Sequence, residues 1–252
     1  MKRDIRSQTC EESALVQEAA LCSAGRGKVT RSEGKHDVHP TSGYSAIEEV
    51  MNSVTHALGL VWAITALVLS VVFASLHSDA WIIVACAVHG ASLILLYLSS
   101  FLYHTMRTIK WKKFFLTWDH ACIYVLIAGS YTPFTFGPLR GTTGWIIFGI
   151  VWALAIAGVT KEIFASKRGG LVGSLIYLGM GWICLFAIVP LYFNMTTAGF
   201  TLLLVGGVVY SAGVFFYLYR RMKYHHAVWH LFVLGGSVCQ WVAVLTIIFA
   251  GK

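Results

Sequence analysis

The chain has 252 residues, of which 57% are hydrophobic and only 12% are charged. Soluble domains carry about 25% charged residues, so this composition excludes an ordinary soluble domain and indicates that most of the surface faces lipid. The formal net charge of +8 does not indicate nucleic-acid binding, because the basic residues of the apolar region stand in short loops that set membrane orientation. The six cysteines stand singly without a Cys-x-x-Cys pair, which disfavours a disulfide framework and a cysteine zinc site.

The first 44 residues are polar and contain several glycines, and we predict a disordered or loosely attached cytoplasmic tail. No apolar signal-peptide core lies within the first thirty residues, so we expect the first apolar helix to act as the membrane anchor. Ser45 and Glu48 have the spacing of a helix capping box, which predicts that a helix begins there. The predicted domains are therefore a tail over residues 1–44 and a membrane domain over residues 45–252.

Seven apolar segments follow the tail, each close to the roughly 20 residues that cross about 30 Å of hydrocarbon. The third is the shortest and contains Gly129 and Pro133, which predict a kink or an early end. The sequence shows no internal repeat of the kind that many transporters have. We predict an all-α integral membrane protein with seven transmembrane helices, at residues 54–76, 80–103, 121–136, 144–164, 171–192, 200–219 and 227–250.

The distribution of basic residues predicts the orientation of these segments. The loops after the second, fourth and sixth segments carry ten Lys and Arg residues, and the opposite side carries only Arg140 and Lys252. Loops rich in Lys and Arg stay in the cytoplasm. We therefore predict that the amino terminus is cytoplasmic and that the carboxyl terminus is outside.

In this orientation, polar residues from five segments fall at the cytoplasmic interface. Ionisable groups at membrane depth are costly unless they are paired, and they mark functional sites. His226 and His230 are four residues apart and share one helix face, and His104 closes the second segment at the same depth. The full group consists of His56, His104, Asp119, His120, Glu162, His225, His226 and His230.

Three histidines without a cysteine form the open ligand set of a zinc site that keeps one position for water. We predict that His104, His226 and His230 bind one zinc ion. Asp119 is predicted to hydrogen-bond the water on the metal or to hold an imidazole in place. A simple helix N-cap is the alternative for Asp119, because it follows Trp118 at the predicted start of the third segment.

Two further polar patterns accompany the predicted ligands. Glu49, Asn52 and His56 lie at i, i+3 and i+7, which predicts a polar stripe along the start of the first helix. We interpret this stripe as a structural lock between helices, with a chemical role as the alternative. Ser100 lies one turn before His104 and either faces the site or bonds back to its own helix.

Four motifs together resemble the hemolysin III family, bacterial relatives of the progestin and adiponectin receptors (the PAQR group). The resemblance covers about residues 45–252 and implies seven helices with a cytoplasmic amino terminus. It also implies zinc held by His104, His226 and His230, with Asp119 contacting the zinc-bound water and Ser100 close by, and a distant relation to alkaline ceramidases. Gln240 departs from the family pattern, in which histidine is common. The motifs are Glu49-Val-Met-Asn52-Ser-Val-Thr-His56, Ser99-Ser100-Phe-Leu-Tyr-His104, Trp118-Asp119-His120 and His226-Ala-Val-Trp-His230.

The leading function hypothesis is a zinc-binding regulator of membrane lipid and energetic homeostasis in the bacterial inner membrane, a role with which the bacterial branch of the family is associated. The second is a zinc-dependent intramembrane hydrolase of a lipid amide or ester, in which Asp119 and Ser100 are catalytic. A pore-forming hemolysin ranks last, because a chain of seven lipid-facing helices without an export signal does not readily leave the cell. The expected partners are membrane lipids, with no nucleic acid and no indicated protein partner.

Overall fold

The computed structural model describes residues 38–39, 41–164 and 169–250, and the helices account for nearly all of this part. Its only β-type pairing is an isolated bridge between Val38 and Ser45, so the predicted all-α class is confirmed for the described residues. The elements are α1 Ala46–His77, α2 Ala80–Thr105, α3 Ile109–Phe136, α4 Thr142–Phe164, α5 Gly170–Gly181, a 3₁₀ helix Trp182–Ala187, α6 Ile188–Asn194, α7 Thr197–Leu218 and α8 His225–Ala250.

Six helical stretches of the described chain are long and apolar enough to cross a membrane: α1, α2, α4, the stretch from α5 to α6, α7 and α8. Helix α3 is not among them. Its first part carries Lys110, Lys112 and Lys113, and the apolar part that follows contains Pro133 close to its end at Phe136. The membrane class is therefore supported, whereas the seventh span and the sides of the termini stay predictions.

Helix α1 begins at the predicted capping box. The Ser45 hydroxyl accepts the Glu48 backbone N–H, and Glu48 Oε2 accepts the Ser45 backbone N–H at 2.9 Å. The buried face of α1 is polar near its start, at Asn52 and His56, and consists mainly of small residues deeper in the bundle. At Gly59 a Cβ would overlap the Tyr97 ring, so this glycine permits the close approach of α1 and α2.

Consecutive helices pack as neighbours from α1 to α4, and α7 packs against α8. Helix α8 also returns against α1. One apolar cluster, which includes Leu93, Tyr97, Cys122 and Val233, joins α2, α3 and α8. This packing brings the end of α2, the start of α1 and the start of α8 to one end of the bundle, which we name the histidine end.

The fifth apolar segment, predicted as one helix, is interrupted by the 3₁₀ helix between α5 and α6. Tyr131 of α3 stabilises this break, because its hydroxyl donates to the Gly181 carbonyl at 2.6 Å and accepts the Cys184 N–H at 2.8 Å. Backbone groups released from a helix at membrane depth need such partners. Helix α3 continues through Pro133 and ends at Phe136, where the predicted third segment ends, so the proline does not end the helix early.

Most of the predicted tail lies outside the described residues, so its predicted disorder stays a prediction. The described residues 38, 39 and 41–45, which we name the strap, precede α1 directly. His39 Nε2 lies 2.8 Å from the Arg107 carbonyl oxygen after α2, and the Ser42 hydroxyl donates to Glu49. The strap therefore packs against the histidine end.

Candidate metal centre

Three histidine side chains converge at the histidine end. His104, His226 and His230 are all buried, and each offers one ring nitrogen such that the three atoms lie within 4.8 Å of one another. The ring centroids of His104 are 5.1 Å from His226 and 5.2 Å from His230, and those of His226 and His230 are 4.5 Å apart. The predicted set is thus brought together in space.

Helix geometry explains this convergence. His226 and His230 are one turn apart in the first turns of α8, so both project from the same face. His104 lies in the last turn of α2, which ends where α8 begins. The pair from one helix and the single side chain from the other therefore meet without any irregular backbone.

Hydrogen bonds fix the orientation of two of the three rings. His104 Nδ1 donates to Glu49 Oε2 at 2.7 Å. His230 Nδ1 lies 3.0 Å from Thr55 Oγ1, and because the Thr55 hydroxyl proton goes to backbone carbonyls of α1, this oxygen is the acceptor. Both imidazoles are thereby held in the tautomer that leaves Nε2 without a proton.

Among the described residues, the Nε2 atoms of His104 and His230 and both ring nitrogens of His226 have no hydrogen-bond partner. Buried polar atoms are nearly always satisfied, so three converging free nitrogens require an explanation. A metal ion provides one, because neutral imidazoles bind zinc through one nitrogen while the other donates to a carboxylate or a hydroxyl group. The donor set fits a zinc site with an open fourth position.

Glu49 joins three elements at this centre. Its carboxylate contacts His104 of α2, accepts the Ser42 hydroxyl of the strap and lies 2.9 Å from Lys112 Nζ of α3. Contacts of this kind suit a lock between helices, and the lock stays a prediction for all three residues of the stripe. Asn52 is buried, and the buried His56 ring stacks on His230 with the centroids 3.5 Å apart.

Asp119 is buried well inside α3, which begins at Ile109, so the N-cap alternative for it is wrong. Its predicted role beside the metal remains a prediction, and its side chain lines the same cavity as His226. Ser100 is fully buried one turn before His104, and among the described residues its hydroxyl has no hydrogen-bond partner, so it does not bond back to its own helix. Its predicted catalytic role stays a prediction.

The strap closes the histidine end from outside the bundle. The Tyr44 ring centroid is 5.1 Å from that of His226, 6.0 Å from His225 and 6.2 Å from His104. Burial raises the pKa of the Tyr44 phenol well above its usual range, so the hydroxyl stays protonated and neutral. Tyr44 thus covers the histidines with an uncharged side chain.

A cavity of about 330 Å³ extends from this centre along the bundle. Asp119, His226 and Tyr44 line it at the histidine end, and Gln240, which donates to the Leu203 carbonyl at 3.2 Å, lines its middle part. The remaining wall is mostly apolar and includes Leu126, Ile127, Phe134, Leu139, Leu178, Leu191, Leu203, Val214 and Val233. The cavity wall is therefore mostly apolar, with ionisable side chains at the histidine end and single polar side chains such as Ser130 and Gln240 further along it.

Three residues of the centre are missed by the sequence reasoning: Lys112, Tyr44 and Thr55. Lys112 resembles the loop charges that set orientation, although it lies seven residues before Asp119 and so shares a face of α3 with it. Tyr44 falls at the end of the predicted tail. Thr55 carries no distinguishing signal, because threonine commonly bonds back to its own helix.

Comparison with known proteins agrees with the four motifs. A family model described as "Haemolysin-III related" matches residues 44–241. The chain is 46% identical over 198 residues to "Hemolysin-3 homolog" of Bacillus subtilis (strain 168), covering 79% of this chain and 93% of that protein. "Hemolysin-3" of Bacillus cereus is also 46% identical over 198 residues, covering 79% of this chain and 90% of that protein.

A human protein is similar as well. "Monocyte to macrophage differentiation factor" of Homo sapiens is 30% identical over 210 residues, which cover 78% of this chain and 83% of the human protein. The matched region of the family model contains the strap residues Tyr44 and Ser45 and all three predicted ligands. The resemblance drawn from the motifs is confirmed: this chain belongs to the haemolysin-III-related family of membrane proteins.

Proposed function

We propose that this chain is a zinc-binding protein of the bacterial inner membrane that regulates membrane lipid and energetic homeostasis. The observation that carries the proposal is the convergence of three buried imidazoles. Each places one ring nitrogen within 4.8 Å of the other two, and each has a ring nitrogen without a hydrogen-bond partner. A zinc ion at this place would tie α2 to α8. It would thereby fix the packing of the histidine end while the rest of the bundle responds to the surrounding lipid.

The proposal includes the topology predicted from charge, with seven spans, α3 as the third and the histidine end in the cytoplasm. Exposed basic residues support this side, because Lys110, Lys113 and Arg220 all lie at the histidine end. Arg140 is the basic residue of the described chain at the opposite end. Positive loops favour the cytoplasmic side of a bacterial membrane.

The cavity supplies the proposed link to lipid. Its wall is mostly apolar and is formed partly by α5, α6 and α7, and the span from α5 to α6 is the one interrupted by a 3₁₀ helix. An acyl chain in this cavity would pack against that span and bias its position. The zinc centre would hold α2 and α8 in place during such a change.

The homeostasis role is tested in bacterial cells that lack their own copy of the gene. Cells receive the wild type, His104→Ala or the matched control His77→Ala, whose histidine lies at the opposite end of α1. Membrane order is then followed by fluorescence anisotropy after addition of a membrane-fluidising alcohol. We expect the wild type and His77→Ala to restore the response and His104→Ala to fail; restoration by His104→Ala to the wild-type level contradicts the proposal.

A second candidate function is a zinc-dependent lipid hydrolase, and the observation that favours it is that Asp119 and His226 line the same cavity. When bound, zinc supplies a Lewis acid that polarises a carbonyl group and lowers the pKa of a coordinated water molecule. Asp119 would accept and return a proton beside the scissile amide or ester. The apolar wall would hold the acyl chain and exclude bulk water.

This activity is tested with purified protein in zinc-containing buffer, incubated with N-acyl sphingoid lipids or phospholipids. Released fatty acid is measured for the wild type, His104→Ala and Asp119→Asn. We expect product only with the wild type. Equal product from all three proteins, or none from the wild type, contradicts a hydrolase on these lipids and leaves the regulatory proposal standing.

A further inference from the structure

Lys112 is a buried lysine beside the candidate metal centre, with only 1% of its surface exposed. Lysine is almost never fully buried unless its charge is paired. Its ammonium group lies 2.9 Å from Glu49 Oε1, donates to the Tyr103 carbonyl at 2.9 Å and stands 4.7 Å from the centre of the Tyr103 ring. A position in α3 that the charge count places in a loop is thus part of the protein interior.

The same carboxylate that pairs with Lys112 also holds a predicted metal ligand. Glu49 Oε1 faces Lys112, and Glu49 Oε2 accepts His104 Nδ1–H at 2.7 Å. The two contacts use different oxygens, so they form one continuous chain from α3 through α1 to α2. The free Nε2 of His104 lies at the end of this chain.

We propose that Lys112 is a positioning residue of the metal centre that acts through Glu49. The ammonium group fixes the carboxylate, and the carboxylate fixes the His104 ring in the rotamer and tautomer that direct Nε2 to the metal. This inference rests on the proposed zinc site. It extends that site to a residue that does not touch the ion.

A purely structural role for Lys112 predicts a different result. Its ammonium group also lies 3.4 Å from the Met106 carbonyl oxygen, so with Tyr103 it satisfies carbonyl groups at the end of α2. If this were all that Lys112 did, its removal would lower the stability of the protein without changing the affinity of the folded protein for zinc.

The test measures zinc affinity of the purified full chain in detergent by competition with a chromogenic chelator, together with the melting temperature of each metal-free protein. The proteins are the wild type, Lys112→Met, Glu49→Gln, the double variant, Lys112→Arg and the matched control Lys113→Met, whose lysine is exposed. Loss of an outer partner of a metal-bound histidine typically weakens metal affinity about 10–100-fold. We expect this loss for Lys112→Met and for Glu49→Gln, less than about 2-fold change for Lys113→Met, and partial retention for Lys112→Arg.

The double variant separates the two roles of Lys112. If Lys112 acts through Glu49, the double variant binds zinc within about 3-fold of Glu49→Gln alone, because coupled residues are not additive. Additive losses, or wild-type affinity in a folded Lys112→Met protein, overturn the inference alone. If Lys112→Met does not fold, Glu49→Gln carries the test, and unchanged affinity there overturns it. Absence of zinc binding in the wild type overturns the proposed site and this inference together.

Discussion

Both ends of the bundle carry an ion pair, but the pair at the histidine end is largely buried and the pair at the other end is exposed to solvent. At the histidine end, Glu49 and Lys112 pair beneath the surface, and Lys112 is 1% exposed. At the other end, Arg140 pairs with Asp79 at 2.5 Å, and both side chains are 48% exposed. Asp79 there also accepts two backbone N–H groups at the start of α2, so its role as an N-cap is complete.

This difference in burial indicates that the functional site lies at the histidine end. At the Asp79 end, Arg140 and Asp79 pair with each other and are exposed to solvent, so they need no further partner. At the histidine end, the burial of charged and polar groups leaves imidazole nitrogens without protein partners. Burial without a partner is costly, so it indicates a ligand.

The largest expected effect comes from removing a predicted ligand. We expect His226→Ala and His230→Ala each to weaken zinc binding at least 100-fold, which is the upper end of the about 10–100-fold typical for an outer partner. His77→Ala, at the Asp79 end, is the matched control and should bind as the wild type does. Zinc titration against a competing chelator measures these affinities. Wild-type affinity in His226→Ala or His230→Ala would contradict a metal site at the histidine end.

Metal removal should have the next largest effect. A ligand that binds only the folded state at a free concentration about 1,000 times its Kd stabilises that state by about 4 kcal/mol. We expect a chelator to lower the melting temperature of the wild type and of Arg140→Gln alike, and to leave His104→Ala unaffected. Equal sensitivity of the His104→Ala protein to the chelator would place the metal somewhere else.

Substitution of Asp119 should show whether this residue binds zinc directly or acts through the water on the metal. We predict that Asp119→Asn changes zinc affinity less than about 10-fold, which is the lower end of the range for an outer partner, because its contact runs through water. A matched substitution at the other end, Asp79→Asn, should leave zinc affinity unchanged. A loss in Asp119→Asn as large as that in His226→Ala would instead make Asp119 a direct ligand.

The smallest effect is expected at the Asp79 end. The hydrogen bond from Arg140 holds the pKa of Asp79 below its usual value. A carboxylate with a depressed folded-state pKa stabilises the protein above its unfolded pKa of about 4, and this contribution is lost as pH falls through the folded-state pKa. Because the pair is exposed, we expect Arg140→Gln to lower the free energy of unfolding by about 0–1 kcal/mol at pH 7 and by less in acid. Zinc affinity should not change. Unfolding measured at several pH values checks this, and a cost that grows in acid would contradict it.

The sequence predicts those features that depend on local spacing. The capping box at Ser45 and Glu48 and the shared face of His226 and His230 both follow from helix geometry, and the structure has both. The approach of His104 to that pair followed from the predicted orientation, because the second segment ends where the seventh begins. Periodicity and loop charge therefore sufficed to predict that these three histidines come together.

The features that were missed depend on contacts between distant parts of the chain. Lys112 resembles a loop charge until α3 is known to begin at Ile109, and its partner Glu49 belongs to another helix. The break after Gly181 is satisfied by Tyr131 of α3, a contact that no local pattern predicts. Such hydrogen bonds between distant parts of the chain determine how the helices pack in the interior of this bundle. Residue spacing within one segment does not reveal them.

The central claim is that His104, His226 and His230 bind one metal ion. X-ray absorption at the zinc edge, measured on the purified protein together with its metal content, tests it most directly. The account predicts one zinc per chain with three imidazole nitrogens at about 2.0 Å and one oxygen atom. A protein that contains no zinc after purification in zinc-supplemented buffer, or zinc bound through sulfur, would contradict it.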